Sequence, residues 1–104
     1  MLFFTKLLIL LFLAQKNLVA NQNTYIYIFK NTLLKYNIMY DKLKDFKSGA
    51  ICIPKDSNAN LIKYAVGYSH NVYKKQASEQ IALQGCEEMK KKLISYDCKC
   101  EIIL

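Results

Sequence analysis

The four cysteines of this 104-residue chain are confined to its C-terminal half. They are Cys52, Cys86, Cys98 and Cys100, and the first fifty residues contain none. An even number of cysteines in a short chain is typical of a disulfide framework, provided that the chain leaves the reducing cytosol. Two disulfides contribute roughly 2–4 kcal/mol each, which is comparable to the whole net stability of so small a domain. The cysteines therefore predict a small fold that depends on covalent cross-links.

The N-terminus gives a reason to expect export. Lys6 is followed by an apolar run, residues 7–14, which has the length of a signal-peptide core and is too short to span a membrane comfortably. Cleavage is expected after Ala20, although Leu18 is larger than the small residue usually found three positions before the cut. We therefore assign residues 1–20 to a signal peptide and expect a secreted or periplasmic protein. The alternative is an uncleaved signal anchor that tethers a basic domain to the membrane.

The charge of the chain restricts its partners. The formal net charge is +7, and all fifteen basic residues are lysine. Nucleic-acid readers usually include arginine, because its planar fork grips phosphates and guanine edges in pairs, so no nucleic acid is expected. A basic exported domain suits an anionic surface, such as lipid headgroups or polysaccharide, or another exported protein. Once the signal is cleaved, no membrane association is expected.

Hydrophobic periodicity predicts a helix in the segment that precedes the cysteines. Asn31 or Thr32 is a candidate N-cap, and apolar residues recur at helical spacing from there to Phe46. The preceding stretch, residues 25–29, is rich in tyrosine and isoleucine and is β-prone, or it extends the helix backwards. Residues 21–47 are therefore predicted to form an N-terminal helical segment.

The rest of the chain, residues 48–104, predicts the order ββαβ. Residues 50–53 and 61–68 form two short β-prone runs that flank a loop of turn-forming residues, as in a β-hairpin. Apolar residues at steps of three to five predict a helix over 77–93, and the alternation in 98–102 predicts a final strand. The expected fold is α+β: an N-terminal helix, then a small antiparallel sheet packed on one main helix and stabilised by disulfides.

Short motifs in residues 48–104 resemble a family of small exported bacterial domains, the domain-of-unknown-function 4189 type. These motifs are Gly49-Ala50-Ile51, Gly67-Tyr68-Ser69, Ala82-Leu83 with Cys86, and Cys98-Lys99 at the start of the last strand. The resemblance implies a bacterial, exported protein with a disulfide between Cys86 and Cys98. It implies no known activity.

The chain departs from the family pattern in having Cys52 and Cys100. If Cys86 pairs with Cys98, as the resemblance implies, Cys52 pairs with Cys100. The alternative, Cys86 with Cys100 and Cys52 with Cys98, stays open, whereas side chains two apart on one strand diverge too far for a relaxed Cys98–Cys100 bond. Zinc sites usually contain two Cys-x-x-Cys pairs, which this chain lacks, so neither a metal nor another cofactor is expected.

Catalytic residues are not evident in the sequence. His70, the only histidine, lies in a predicted turn beside Ser69, and this turn lacks the second glycine of a nucleophile elbow. A small hydrolase is therefore the weakest alternative, and we expect a protein that is not an enzyme.

A binding or structural module in the periplasm or outside the cell is the function that we expect. The predicted binding surface comprises Tyr64, Tyr68 and Tyr73, because aromatic rings with polar tips suit interfaces. The basic run at residues 90–92 is either the solvated side of the main helix or a contact for an anionic partner.

Overall fold

The computed structural model describes residues 22–56 and 63–104, and the predicted signal peptide and the start of the predicted second strand lie outside these residues. The described elements confirm the α+β class and the order of an N-terminal helix followed by ββαβ. They are α1 (22–34), a 3-10 turn (Tyr40–Lys42), β1 (Ser48–Pro54), β2 (Val66–Ser69), α2 (Lys75–Leu93) and β3 (Cys98–Ile102).

The three strands form one antiparallel sheet in the order β2-β1-β3. Ala50 lies at its centre, opposite Gly67 of β2 on one side and Ile102 of β3 on the other. Successive side chains of a strand point to opposite faces, so β1 divides its residues between two cores. This explains why β1 is buried from Ser48 to Cys52 instead of alternating between buried and exposed positions.

One core lies between the sheet and α2. Ala82 and Cys86 of the helix are fully buried against Ala50 and Cys52 of β1. Gly67 faces the same helix without a side chain, which allows the backbones of β2 and α2 to approach each other closely. This is the helix–sheet packing that the sequence predicts.

A second core lies on the opposite face of the sheet, which α1 covers. Phe29 and Leu33 of α1 are buried against Ile51 and Val66. Gly49 of β1 makes room for the Phe29 ring, since a Cβ atom on Gly49 would lie 2.5 Å from the Phe29 Cζ atom. The sheet is therefore packed on two helices, one on each face, where the sequence predicts one main helix.

The bounds of α1 differ from the predicted ones. The β-prone stretch at residues 25–29 is helical, which agrees with the backward extension of the helix, and Thr32 lies inside α1, where its hydroxyl donates to the Ile28 carbonyl at 2.7 Å. The helix ends before Asn37, which has a φ of 63°. The Ile38 and Asn37 amides donate to the Leu33 and Leu34 carbonyls at 3.0 and 2.9 Å, which is a Schellman motif. The predicted helix to Phe46 is wrong because this motif stops the helix.

The disulfides join Cys52 to Cys98 and Cys86 to Cys100, with Cα–Cα distances of 5.3 and 6.1 Å. The expected pairing is wrong: Cys86 does not pair with Cys98, as the resemblance implies, and Cys52 does not pair with Cys100, so the alternative is confirmed. The reason lies in the return of β3 along α2. The Lys90 ammonium donates to the Cys98 carbonyl at 2.7 Å, so Cys98 lies beside the last turns of the helix.

Moving back from Lys90 to Cys86 covers about 6 Å of helix, and moving on from Cys98 to Cys100 covers about 6.6 Å of strand. Because these two lengths match, Cys86 lies next to Cys100 and pairs with it. Cys98 pairs instead with Cys52 of β1. Cys52 lies directly opposite Cys100 in the register, and Cys98 is its diagonal neighbour on the same face.

Candidate functional site

An open groove follows the free edge of β2, between α1 and the C-terminal half of α2. It consists of two adjoining cavities of about 790 and 500 Å³, which share Tyr36, Met89 and Leu93. Both volumes fall in the range of small-ligand sites, about 300–1,000 Å³. The other residues of this α1–α2 groove are Ile28, Asn31, Thr32, Lys35, Lys63 and Tyr64 in the larger cavity and Leu33, Ile38, Val66, Gly67, Tyr68, Gly85, Glu88 and Lys92 in the smaller one.

The groove exists because the two helices extend beyond a narrow sheet. Its floor is β2, an edge strand of four residues, and the helices form walls on either side. Gly67 and Gly85 line the smaller cavity at the point where the strand and helix backbones approach each other closely. The floor is therefore backbone and apolar side chains.

Met89 closes part of the strand edge. Its sulfur accepts a hydrogen bond from the outward-facing Val66 amide at 3.3 Å. An exposed strand edge normally offers its amides to another strand, and this one is already bonded to a side chain. The groove wall near Met89 is thus apolar in character.

Charged side chains stand on both sides of the apolar lining. Lys35 and Lys63 belong to the larger cavity, and Lys92 and Glu88 belong to the smaller one. All four are exposed, so their charges remain solvated in the absence of a ligand. Three lysines against one glutamate make the groove electropositive.

Two of the three tyrosines of the predicted binding surface line the groove. Tyr64 belongs to the larger cavity and Tyr68 to the smaller one. Tyr73 lies elsewhere: it is 79% exposed, and the Lys74 ammonium lies 5.4 Å from its ring centroid. The structure thus places Tyr64 and Tyr68 along the groove, in adjoining cavities, and Tyr73 outside it.

A small aromatic cluster supports the rim at Tyr64. The Tyr25 ring packs edge-on against it with a centroid distance of 6.4 Å, and the Tyr96 hydroxyl donates to the Lys63 carbonyl at 2.7 Å. Burial raises the pKa of Tyr64 above its ordinary value, and Tyr25 adds to the effect. Burial likewise raises the pKa of Tyr96, with smaller contributions from Tyr64 and Tyr25. These two phenols therefore stay neutral at physiological pH.

The basic run at residues 90–92 is divided between different roles. Lys90 donates to the Cys98 carbonyl and so joins the end of α2 to β3. Lys91 is exposed, and Lys92 lines the groove. Only Lys92 of this run is therefore placed to meet a ligand in the groove.

The residues considered for a hydrolase are placed differently. The His70 ring is exposed and stacks on the Tyr68 ring, with centroids 6.0 Å apart. The neighbouring Ser69 is buried, and its hydroxyl donates to the Ser78 carbonyl at 2.6 Å. The Ser78 hydroxyl donates in turn to the Lys75 carbonyl. The Ser48 hydroxyl lies 2.6 Å from the Ser78 hydroxyl. The Ser69 hydroxyl therefore fixes α2 on the sheet and is not presented to a substrate.

The four cysteines are all in disulfides, and within the described ranges no group of three or more histidine, cysteine or acidic residues is arranged around a possible metal ion. No helix in residues 22–56 and 63–104 has the length and hydrophobicity needed to cross a membrane. No protein-family model matches this chain, and neither a curated protein nor a solved structure is significantly similar to it. The resemblance to the small exported bacterial domains stays a prediction.

Most of the groove is not evident from the sequence. The apolar residues whose spacing predicts the α2 helix include Met89 and Leu93, and this spacing indicates a core. The one available signal is that the apolar stripe of α2 continues to Leu93, beyond the last buried residue, Cys86. When the apolar stripe of a helix extends beyond the sheet that it packs on, the last apolar residues of the stripe stay uncovered.

Proposed function

We propose that this chain is a non-enzymatic binding module of an oxidising compartment and that the α1–α2 groove is its ligand site. The two disulfides support an extracellular or other oxidising location, because such bonds rarely persist in the cytosol. Export by cleavage of a bacterial signal peptide after Ala20 is the route we propose. The resemblance of residues 48–104 to small exported bacterial domains is part of the same proposal.

The groove is the observation that carries the binding role. A domain this small has little apolar surface to spare, yet Tyr36 and Leu93, which line both cavities of the groove, are each about half exposed. Concave apolar sites with a few polar groups are the usual form of small-ligand sites. Binding is favoured over catalysis because the described residues of the groove lining include no histidine, cysteine or serine and a single carboxylate, Glu88.

An uncharged fluorescent probe tests the groove without involving its lysines. Nile red should brighten when added to the oxidised protein, and Leu93→Gln should weaken this response. Ile81→Gln is the matched control, because Ile81 is also 46% exposed on α2 and lies outside the groove. An equal response from both variants would contradict the proposed site.

The proposed location has a separate test. Edman sequencing of the protein recovered from the periplasm or the medium should begin at Asn21. Recovery of the intact chain in the membrane fraction would contradict export with signal cleavage.

A further inference from the structure

The groove combines an apolar channel with basic side chains, and from this we infer that its ligand is a long-chain fatty acid. The acyl tail would lie between α1 and α2, and the carboxylate would lie at the lysines of the rim. This inference rests on the proposed function, and it adds the chemical class of the ligand.

The shape of the groove suits an acyl tail. Its two cavities adjoin, since Tyr36, Met89 and Leu93 line both of them. Met89 is unbranched and flexible, which lets it adapt to a chain of methylenes. A tail needs only apolar contact, and Leu33, Met89 and Leu93 offer such contact in the groove lining.

The strand edge argues against an extended peptide as the ligand. A peptide that adds a strand to a sheet takes its affinity from hydrogen bonds to free backbone groups. The Val66 amide at this edge is bonded to the Met89 sulfur, and β2 is only four residues long. A fatty acid makes no such demand on the backbone.

The charges favour a carboxylate head. Among the described residues, Lys35, Lys63 and Lys92 line the groove with a single acidic residue, Glu88. Lysine presents a compact charge that does not require paired geometry, which suits a monovalent head whose position varies with tail length. An uncharged amphiphile would gain nothing from these lysines.

Isothermal titration calorimetry of the oxidised protein with free fatty acids tests the inference. Affinity should rise about fourfold for each added methylene from octanoate to tetradecanoate, because each buried methylene contributes to transfer from water. Methyl dodecanoate should bind more weakly than dodecanoate, and added salt should weaken the binding of the acid alone.

Variants separate the tail from the head. Leu93→Gln should weaken dodecanoate about fivefold, since it removes part of a leucine contact, and Ile81→Gln should leave it unchanged. Lys63→Gln should weaken the acid by about two- to fivefold and leave the ester unchanged. Lys99→Gln is its control, because Lys99 is exposed on β3 outside the groove.

Two results would overturn the fatty-acid inference and leave the proposed function standing. One is equal affinity for the acid and its methyl ester, which would remove the role of the lysines. The other is Nile red binding that depends on Leu93 without measurable binding of dodecanoate, or with preferred binding of an acidic peptide. Loss of the Leu93 dependence for every probe would overturn both proposals.

Discussion

Replacement of Gly67 by alanine is expected to destabilise the protein by about 3 kcal/mol, because no space for a side chain exists between β2 and α2. A Cβ atom on Gly67 would meet the Ala82 carbonyl oxygen and the Cys86 amide nitrogen well inside van der Waals contact. Both are backbone atoms, so no side-chain rotation relieves the overlap. The helix would have to move away from the sheet, and the disulfide from Cys86 to Cys100 opposes that movement.

Gly85→Ala is the matched control. A Cβ atom there would lie 3.4 Å from the Gly67 Cα atom, which is ordinary contact. Alanine is favoured over glycine inside a helix by about 1 kcal/mol, so this variant is expected to be as stable as the wild type or slightly more stable. No glycine in the described residues has a positive φ, so neither variant is strained by its backbone conformation.

Urea unfolding of the oxidised variants, followed by far-ultraviolet circular dichroism, measures the difference. The m-value should stay constant, since neither change alters the surface exposed on unfolding by much. A Gly67→Ala variant within about 0.5 kcal/mol of the wild type would refute the close approach of β2 and α2, because changes of that size are usual at open surface sites. So would equal destabilisation by the two variants.

The cross-links, a buried hydroxyl and the buried phenols each give a further expected outcome. Peptide mapping without reduction should recover the two disulfides of the structure. Removing the Cys52–Cys98 disulfide, which joins residues 46 apart, should lower the free energy of unfolding in urea by about 4 kcal/mol. Removing the Cys86–Cys100 disulfide, which joins residues 14 apart, should lower it by about 3 kcal/mol. A reversed order would contradict the loop-entropy argument. Ser78→Ala should cost about 1–3 kcal/mol because it leaves the Ser48 hydroxyl buried without this partner, whereas Ser48→Ala should cost less because Ser78 keeps its bond to a carbonyl. Burial raises the pKa of Tyr40, Tyr64 and Tyr96 above the ordinary value of 10.0. The contribution of these neutral phenols to stability is complete below about pH 10 and is lost as the pH rises through their pKa values in the folded protein. Phenolate absorbance should show the raised pKa values, and urea unfolding above pH 9 should show the loss of stability.

The sequence predicts best those helices and strands that are buried on one face, because burial on one face sets the spacing of their apolar residues. In β3 the buried Cys98 and Cys100 alternate with exposed residues such as Glu101, because only one face of that strand meets α2. The stripe through Ala82 and Cys86 defines α2 for the same reason. In both cases the local pattern and the tertiary packing agree, so the pattern alone is sufficient.

The start and end of α1 depend on features that propensity does not capture. Tyr25, Phe29 and Leu33 recur every four residues, and this helical spacing overrides the β preference of the individual residues. The end of the helix depends on Asn37 taking a left-handed conformation, which an asparagine tolerates and a sequence pattern seldom reveals. A packed stripe and a terminating motif therefore outweigh local propensity here.

The disulfide pairing and the groove escape sequence reasoning because both depend on how far two elements overlap. Cys98 and Cys100 present their side chains to the same face, so only the length of the return from α2 decides which of them meets Cys86. The groove arises in the same way, from helices that extend past β2. An overlap of this kind is set by packing across the sheet and not by any one segment.

The two sides of the groove are held in different ways. Both disulfides lie on the α2 side of the sheet, so α2 is bonded covalently to β3 and β3 to β1. On the described residues, α1 is held on the other face by side-chain packing, mainly of Phe29 and Leu33. Local openings have the lowest free energy where cross-links are absent and contacts are few. The groove thus has one wall that is cross-linked to the sheet and one wall that is held on it by side-chain packing, and we expect the α1 wall to open locally before the α2 wall.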